Sequence, residues 1–442
     1  MWRLQGMTPT IFISAGEASG EHYGALLVTA LKRQLAQEGE TARFVGMGGP
    51  RMEAAGLERV VRSEDVAVMG LTEVVLHLPR IYNEFQKLKK SIKRLRPDVA
   101  VLIDFPEIHF RLAKIFHRLG VPVIFFVSPQ LWAWKQHRIE LVKKYVDRML
   151  VILPFEQPFY RERGVQAEFV GHPLAELPQP AISREQFATE NRLDAGKTWI
   201  GLLPGSRPRE IRDNLPEMLE AARSLAAYPR NRSDSAPEGH EALPEQFGAQ
   251  LPYRQGRSGQ LEFIVPLAPT LNAAQRAEVL KMLDEPGGGP SIRPVEDARA
   301  ALFHARASVV ASGTATVEAA LIGNPFVVVY RVSPVTYAIA KRVVKVPHVA
   351  MANLIAGKRM VPELIQRDFT AGNIVQQIEP LLPEGPVRES MMKELAGIRS
   401  LLWAKPAGVG DKNTGAIERV AAVTLQLLGT PSLAPVESGV SF

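Results

Sequence analysis

Near the start of the chain, Thr10-Ile11-Phe12-Ile13-Ser14 runs directly into Ala15-Gly16-Glu17-Ala18-Ser19-Gly20, and these two segments determine the fold class. The first is a short β-rich run, and the second is a loop of small residues that opens a helical pattern reaching about Gln37. A strand that leads through a glycine-rich turn into a helix is typical of parallel α/β sheets. Such a turn can hold an anion at the helix N-terminus. A tight turn that binds nothing explains the same residues equally well.

The same order recurs along the chain. Further apolar runs predict strands at Arg43–Val45, Val99–Ile103, Pro122–Phe126, Arg148–Ile152, Trp199–Leu203, Glu262–Val265, Ser308–Ala311 and Phe326–Tyr330. Amphipathic segments between them predict helices, among them Pro216–Ala226, Asn272–Met282 and Thr316–Ile322. Unbroken apolar strands are typical of sheets covered on both faces. The pattern predicts an α/β protein with two Rossmann-like, doubly wound domains that face a cleft.

A length of 442 residues favours two domains. Proline residues after Gly171-His172-Pro173-Leu174 place the boundary there. We predict an N-terminal domain over 8–174, a C-terminal domain over 175–385, C-terminal helices over 386–428 and an unstructured tail over 429–442. Residues 228–261 lack periodicity and predict a surface insertion without a fixed fold.

Composition limits the chemistry. The absence of cysteine excludes disulfides, cysteine nucleophiles and thiolate metal sites, and it fits a cytoplasmic protein. The nine histidines are scattered without ligand spacing, so we predict no metal and no other cofactor. No apolar run is long enough to span a membrane. The net charge of +7 favours an anionic partner. Without a nucleic-acid-binding motif, we predict a membrane surface or phosphorylated substrates instead.

Two turns in the second half could bind a nucleotide. Gly205-Ser206-Arg207 follows a predicted strand, and an arginine at a helix N-terminus can neutralise a diphosphate. Gly313-Thr314-Ala315-Thr316 offers backbone N–H and hydroxyl donors after another strand. We place Glu318 in the first turn of the next helix, where its carboxylate could accept the hydroxyls of a ribose. The alternatives are a surface arginine on a turn and a glutamate that caps its helix.

Asp104 directly follows the apolar strand Val99–Ile103. In open α/β sheets, ligands bind at the carboxyl ends of the strands, so an aspartate there is a candidate general base for a hydroxyl group. An aspartate that caps the next helix is an equally good explanation of this position.

Val66–Leu78 is apolar with no clear polar face, and a basic stretch, Lys87 to Arg96, follows it. Apolar and basic elements side by side predict a contact with a membrane surface. The candidate acyl-chain and membrane contacts are Val68, Met69, Leu71, Val74, Val75 and Leu78. A core helix followed by a solvated amphipathic helix remains the alternative.

Taken together, the motifs closely resemble those of the lipid-A-disaccharide synthase family, inverting glycosyltransferases of the B-type fold. The matching segments follow the family order over most of the chain: residues 14–20, 46–49, 68–74, 128–134, 155–156, 171–173, 203–207, 311–318 and 353–357. Glu21 stands where the family usually has aspartate, and the segment 228–261 lengthens the second domain.

The resemblance implies transfer of 2,3-diacylglucosamine from its UDP derivative to diacylglucosamine 1-phosphate, with a β-1,6 linkage and release of UDP. Asp104 would be the general base, and Arg207 with the amides of Gly205 and Ser206 would stabilise the leaving diphosphate. The resemblance assigns the nucleotide to Gly313, Thr314, Ala315 and Thr316 and the ribose to Glu318, and it places Asn353 near the same pocket. From the placement of their loop, we predict that Gly16, Ser19 and Gly20 contact the UDP-sugar from the first domain, nearer the sugar and the acceptor. It also implies peripheral association with the inner face of the inner membrane, no metal, and a homodimer that could exchange C-terminal helices.

Two other classes of function explain part of the pattern. One is another UDP-sugar enzyme of the same fold, such as a UDP-N-acetylglucosamine 2-epimerase or a glycosyltransferase of lipid II synthesis. The other is a membrane-surface or nucleotide-binding module without catalysis. An epimerase does not require the apolar and basic patch, and a binding module leaves Asp104 without a purpose.

Overall fold

A computed structural model describes residues 8–66, 71–227, 260–284, 289–343, 346–404 and 415–429. The chain divides into two compact units, the first comprising Met1–Glu176 with Leu402–Phe442 and the second Leu177–Leu401. Each unit contains one parallel sheet. Helices flank the strands along the chain in both units.

The first unit contains a sheet of seven strands among the described residues. The strands are β1 (Thr10–Ala15), β2 (Arg43–Gly48), β3 (Glu58–Arg62), β4 (Val99–Ile103), β5 (Val123–Phe126), β6 (Arg148–Val151) and β7 (Ala167–Phe169). The helices are α1 (Ala18–Gln37), α2 (Pro50–Ala55), α3 (Leu71–Leu95), α4 (Pro106–Arg118), α5 (Ile139–Tyr145) and α6 (Glu156–Arg161).

The strand order β3-β2-β1-β4-β5-β6-β7 reverses direction between β1 and β4. Every residue of β4 is buried, as expected for a central strand covered on both faces. All the pairings are parallel, so the carboxyl ends of β1 and β4 lie side by side at one edge of the sheet. This is the topological switch point at which doubly wound sheets bind ligands.

The second unit contains a sheet of six described strands. The strands are β8 (Thr198–Leu203), β9 (Leu261–Pro266), β10 (Ile292–Val295), β11 (Ala307–Ala311), β12 (Phe326–Tyr330) and β13 (Glu363–Ile365). The helices are α7 (Arg184–Asn191), α8 (Pro208–Ala227), α9 (Ala273–Leu283), α10 (Ala298–His304), α11 (Thr314–Ile322), α12 (Pro334–Val343), α13 (Met351–Ala356), α14 (Ala371–Ile378), α15 (Pro386–Ala396) and α16 (Ile398–Leu402).

The strand order β10-β9-β8-β11-β12-β13 reverses between β8 and β11, so this sheet has its own switch point. Leu203 pairs with Val310, one position before the end of β11. The turns that follow β8 and β11 are therefore neighbours at the carboxyl edge. Trp199 is fully buried, and Arg184 lies over its ring at 3.6 Å from the centroid.

The helices predicted over 386–428 divide between the units. Helices α15 and most of α16 belong to the second unit, whereas the last helix, α17 (Ala416–Leu428), belongs to the first. Helix α17 packs against α1, where Glu418 accepts hydrogen bonds from Arg33 and, at 2.7 Å, from Gln34 Nε2.

The prediction of an α/β protein with two doubly wound sheets is confirmed. Two local predictions need correction, and a third concerns residues that the structure does not describe. Helix α8 begins at Pro208 and not at Pro216, which lies inside the helix. Proline fits the first turn because its missing N–H is not needed there, and Pro208 takes that role. Strand β9 includes Leu261, so the predicted insertion ends before this residue. The rest of that insertion up to 259, and the tail from 430, lie outside the described residues.

Candidate active site

Gly16 and Asp104 lie on adjacent loops at the switch point of the first sheet. Ala15 pairs with Ile103, so the loop after β1 lies against the loop after β4. A Cβ atom on Gly16 would lie only 2.3 Å from Cδ1 of Phe105, so this position requires glycine. Ser19 and Gly20 belong to the first turn of α1. The loop after β1 and the first turn of α1 therefore lie at the same switch point as the candidate base.

The turn that carries Asp104 has an unusual backbone. Asp104 and Phe105 both have left-handed dihedral angles, with φ values of 54° and 51°. At the end of the next strand, Val127 has a φ of 62°. The left-handed region costs a residue with a side chain roughly 1–2 kcal/mol. Such conformations persist where surrounding contacts fix them, and they are enriched at active sites.

A buried histidine lies beneath this turn. His109 is fully buried, its Nδ1 lies 2.5 Å from the carbonyl oxygen of Asp104, and its Nε2 lies 2.8 Å from Ser14 Oγ. A carbonyl only accepts, so Nδ1–H donates to Asp104 and the Ser14 hydroxyl donates to Nε2. Burial lowers the pKa of His109 to about 4, opposed by this backbone hydrogen bond. His109 is one of the nine histidines without metal-ligand spacing, and its sequence position alone indicates no role at the site.

Glu21, the glutamate at the position where the resembled family usually has aspartate, contacts the start of the neighbouring helix α2. Its Oε1 accepts a hydrogen bond of 2.7 Å from the backbone N–H of Arg51, in the first turn of α2. A Cβ atom on Gly49 would lie 2.4 Å from the same carboxylate oxygen. A negative charge at a helix N-terminus is stabilising. The longer side chain thus caps α2 from α1 and does not enter the Asp104 turn.

Glu156 organises the loops after β5 and β6. It is buried, accepting hydrogen bonds from Trp132 Nε1 at 3.1 Å and from the N–H of Leu153 at 3.0 Å. Nearby, Ser128 Oγ and the hydroxyl of Tyr160 lie 2.8 Å apart. Burial raises the pKa of Glu156 to about 8, against the lowering effect of its hydrogen bonds. The carboxyl group is therefore mostly protonated at neutral pH.

The raised pKa of Glu156 predicts a loss of stability in mild alkali. The folded-state pKa of about 8 exceeds the ordinary value of 4.5, so the folded protein holds this proton more tightly than the unfolded chain does. The contribution of Glu156 to the free energy of unfolding is therefore complete below pH 4.5 and is lost as the pH rises to 8. Between about pH 6.5 and pH 8 the free energy of unfolding should fall by on the order of 2 kcal/mol from this group. In Glu156→Gln, urea unfolding should show a smaller decrease over the same interval, whatever its absolute stability. An equal decrease in both proteins would contradict the assignment.

In the second unit, the turn after β8 and the start of α8 bring one cationic and one anionic side chain, Arg207 and Glu210, together in a small cluster. Glu210 accepts a hydrogen bond of 3.2 Å from the N–H of Ser206, and its other oxygen lies 3.4 Å from a guanidinium nitrogen of Arg207. Gly205 has a φ of 121°, and a Cβ atom there would lie 2.6 Å from the Glu210 carboxylate. The side chains of Arg207 and Glu210 are 45% and 36% exposed, so a ligand can reach both.

Tyr330 joins this cluster from the end of β12. Burial raises the pKa of its hydroxyl, the charge of Glu210 raises it further, and Arg207 lowers it. The charges of Glu210 and Arg207 thus act on the Tyr330 hydroxyl in opposite directions. The apolar run Phe326–Tyr330 predicts the strand that ends at Tyr330, but no sequence motif marks this residue as part of a site. Its position at a strand carboxyl end was the available signal.

The turn after β11 supplies donors beside this cluster. Gly313 and Thr314 are exposed, and Ala315 is half-buried. Thr316 is buried, and its hydroxyl donates to the carbonyl of Gly313 at 2.8 Å, which fixes the turn. The hydroxyl of Thr316 is thus used inside the protein, whereas the exposed part of the turn offers Gly313 and Thr314 to a ligand.

Helix α11 begins two residues earlier than predicted, so Glu318 lies beyond its first turn. The helix begins at Thr314, so Glu318 is its fifth residue and does not cap the N-terminus. The glutamate is half-buried. Burial raises its pKa, while Arg299 lowers it and Asp297 raises it again. The helix-cap alternative for Glu318 is therefore wrong.

Asn353 has a structural role in this arrangement. It is fully buried in α13; its amide donates to the carbonyl of Val361 and to Glu363, and its carbonyl accepts from the N–H groups of Met360 and Val361. All of these hydrogen bonds hold the chain between α13 and β13. Both hydrogens of the Asn353 amide nitrogen and its carbonyl oxygen are therefore already used in hydrogen bonds within the protein.

The predicted membrane patch is described only in part. Val68 and Met69 lie outside the described residues. Leu71, Val74, Val75 and Leu78 lie at the start of α3, and their side chains are likewise outside the description. Among the described residues, no helix is both long and apolar enough to cross a membrane, and no cluster of three potential metal-ligating side chains occurs.

Solved structures with a similar fold define the class of protein. A crystal structure of the glycotransferase of kitacinnamycin matches with a TM-score of 0.58 and 16% identity over 95% of this chain and 99% of that chain. A UDP-GlcNAc 2-epimerase from Neisseria meningitidis bound to UDP-GlcNAc matches with a TM-score of 0.55 and 12% identity, covering 95% of this chain and 100% of that chain. The fold is that of the B-type glycosyltransferases and related epimerases.

Sequence comparison identifies the family within that class. The model of the family "Lipid-A-disaccharide synthetase" matches residues 11–251 and 255–401. A lipid-A-disaccharide synthase of Acidobacterium capsulatum is 55% identical over 95% of this chain and 96% of its own length. Another lipid-A-disaccharide synthase, of Koribacter versatilis, is 45% identical over 94% of this chain and 98% of its own length. The chain belongs to the lipid-A-disaccharide synthetase family, and it is a glycosyltransferase.

Proposed function

We propose that this chain is a lipid-A-disaccharide synthase that transfers 2,3-diacylglucosamine from UDP-2,3-diacylglucosamine to the 6-hydroxyl of 2,3-diacylglucosamine 1-phosphate. The observation that carries the proposal is the family match over both units. The position of Asp104 and Arg207 at the switch points of the two sheets supports it, because ligands of doubly wound folds bind there. The products are the β-1,6-linked disaccharide 1-phosphate and UDP.

In the proposed reaction, Asp104 takes the proton of the acceptor hydroxyl while that oxygen attacks the anomeric carbon of the donor. The bond between this carbon and the diphosphate breaks on the opposite side, which inverts the configuration. The diphosphate leaves with the bonding electron pair. Arg207 and the N–H groups of Gly205 and Ser206 stabilise the charge that develops on it. The first unit thus carries the acceptor chemistry and the second the donor chemistry.

Glu210 supports a diphosphate at the second switch point. The Glu210 carboxylate lies where an anionic ligand would bind, because it accepts a hydrogen bond from the N–H of Ser206 and pairs with Arg207. A diphosphate would use the same donors and would displace Glu210 from them. Thr314 and the half-buried Glu318 are the remaining candidates for contacts with the nucleotide.

The decisive test is an assay of the purified chain with both substrates, analysed for disaccharide and UDP, with NMR of the new anomeric centre. We expect equal amounts of the two products and a β linkage. Incubation with UDP-N-acetylglucosamine alone tests the epimerase alternative, and an undecaprenyl-linked acceptor tests the lipid II alternative. Epimerised sugar, or product only with the second acceptor, would reject the proposal. Nucleotide binding without turnover on any substrate would favour a binding module.

The same proposal includes peripheral attachment to the inner face of the inner membrane, because both substrates carry acyl chains. The basic residues on α3 support it, and Leu71 and Val75 at its start are the residues to test. In Leu71→Ser with Val75→Ser, sedimentation with vesicles of anionic phospholipid should fall several-fold while the thermal midpoint stays unchanged. A lower midpoint with unchanged vesicle binding would favour the core-helix alternative. A homodimer is also part of the proposal, to be measured by analytical ultracentrifugation.

A further inference from the structure

A buried side-chain relay connects the first strand of the sheet to the turn that carries the proposed base. Ser14 lies in β1 and His109 in α4, 95 positions apart, and both are fully buried. The Ser14 hydroxyl donates to His109 Nε2, and His109 Nδ1–H donates to the main-chain carbonyl of Asp104. His109 therefore contacts the backbone of Asp104 and leaves the carboxylate to other partners.

The backbone at Asp104 needs such a contact. Two consecutive residues with side chains, Asp104 and Phe105, have left-handed φ angles. Three features hold this turn: the N–H of Asp104 donates to the carbonyl of Phe126 at 2.9 Å, Gly16 leaves space for the ring of Phe105, and His109 holds the carbonyl of Asp104. Without the imidazole, that carbonyl loses its partner on the buried side and the peptide can rotate.

We infer that His109 is a positioning residue, which fixes the Asp104–Phe105 turn so that the carboxylate points toward the acceptor hydroxyl. This inference rests on the proposed function, in which Asp104 removes the proton. A neutral imidazole buried among Phe105 and Phe125 suits this role, because it provides one donor and one acceptor in a fixed orientation. Small displacements of a catalytic group have large effects on rate, since the reacting atoms must be aligned.

The test compares two substitutions that differ in one hydrogen bond. His109→Leu fills the space but cannot donate, whereas the amide of His109→Asn can still donate to the carbonyl of Asp104. We expect kcat to fall about tenfold or more in His109→Leu, to recover to within a few-fold of the wild type in His109→Asn, and KM for the UDP-sugar to change little in both. Wild-type kcat in a folded His109→Leu, or equal losses in the two variants, would overturn the inference.

A double-substitution cycle separates positioning from a general structural effect. If His109 acts only through Asp104, His109→Leu should cause no further loss of rate in an Asp104→Asn background. An independent structural role would instead give the same fold loss in both backgrounds and would reject the inference. If His109→Leu does not fold, Ser14→Ala replaces it and should give a smaller loss that also vanishes in the Asp104→Asn background. Absence of product with the wild-type enzyme would reject the proposed function, which is a separate outcome.

Discussion

Replacement of Asp104 by asparagine should lower kcat by roughly 10²- to 10⁴-fold, the usual contribution of a general base. Asparagine keeps the size of the side chain and removes its ability to take the proton of the acceptor hydroxyl. UDP binding, measured by calorimetry, should remain within a few-fold of the wild-type value, because the proposed nucleotide contacts lie in the second unit. The fold should persist, because asparagine also tolerates the left-handed φ of 54° at this position.

The same strand provides a matched control for this substitution. Asp98 lies just before β4, at the opposite end from Asp104, and its carboxylate accepts a hydrogen bond of 2.7 Å from the N–H of Thr10. Asp98→Asn makes the same change of charge away from the carboxyl edge of the sheet, so its kcat should stay close to that of the wild type. Equal activity of the two variants would remove Asp104 from the role of base.

The central strands were predictable from sequence, and the edge strands were not. The sequence criterion of an unbroken apolar run identified β4 and β12 with their observed bounds, because central parallel strands are covered on both faces. It missed four strands, and these are the four at the sheet edges: β3, β7, β10 and β13. Edge strands are short and partly exposed, so charged residues interrupt their apolar runs. Strand β3, Glu58-Arg59-Val60-Val61-Arg62, has charged residues at three of its five positions.

The candidate site residues were predictable where they directly follow the end of a strand in the sequence. Asp104 and Gly205-Ser206-Arg207 follow β4 and β8 in the sequence, so strand prediction alone brings them to the carboxyl edges. His109 could not be found this way, because its partner Ser14 is 95 positions away and only the pairing of β1 with β4 brings the two together. Glu210 lies in the first turn of α8 and accepts from the N–H of Ser206, a contact back to the turn that the strand pattern alone does not reveal.

Arg207→Ala should weaken UDP binding by about tenfold or more and lower turnover by roughly 10²-fold. The loss of binding reflects the charge-assisted hydrogen bonds to the diphosphate. The greater loss of turnover follows because the guanidinium stabilises the charge that develops as UDP leaves, so its effect is largest in the transition state. Arg209→Ala is the matched control: this arginine follows two positions later, is 64% exposed and lies 3.7 Å from Asp213. Its variant should bind UDP as the wild type does.

Glu210→Gln should change UDP binding in the opposite direction. In the structure, Glu210 accepts from the N–H of Ser206 and pairs with Arg207, so a diphosphate must displace this carboxylate before it can use the same donors. The neutral amide pairs less strongly with Arg207 and repels the diphosphate less, so UDP affinity should rise several-fold. The gain should be smaller when Arg207 is replaced as well, because part of the competition concerns that guanidinium. Calorimetry on the two single variants and the double variant measures this coupling. Weaker UDP binding by Glu210→Gln alone would instead show that the carboxylate itself contacts the nucleotide.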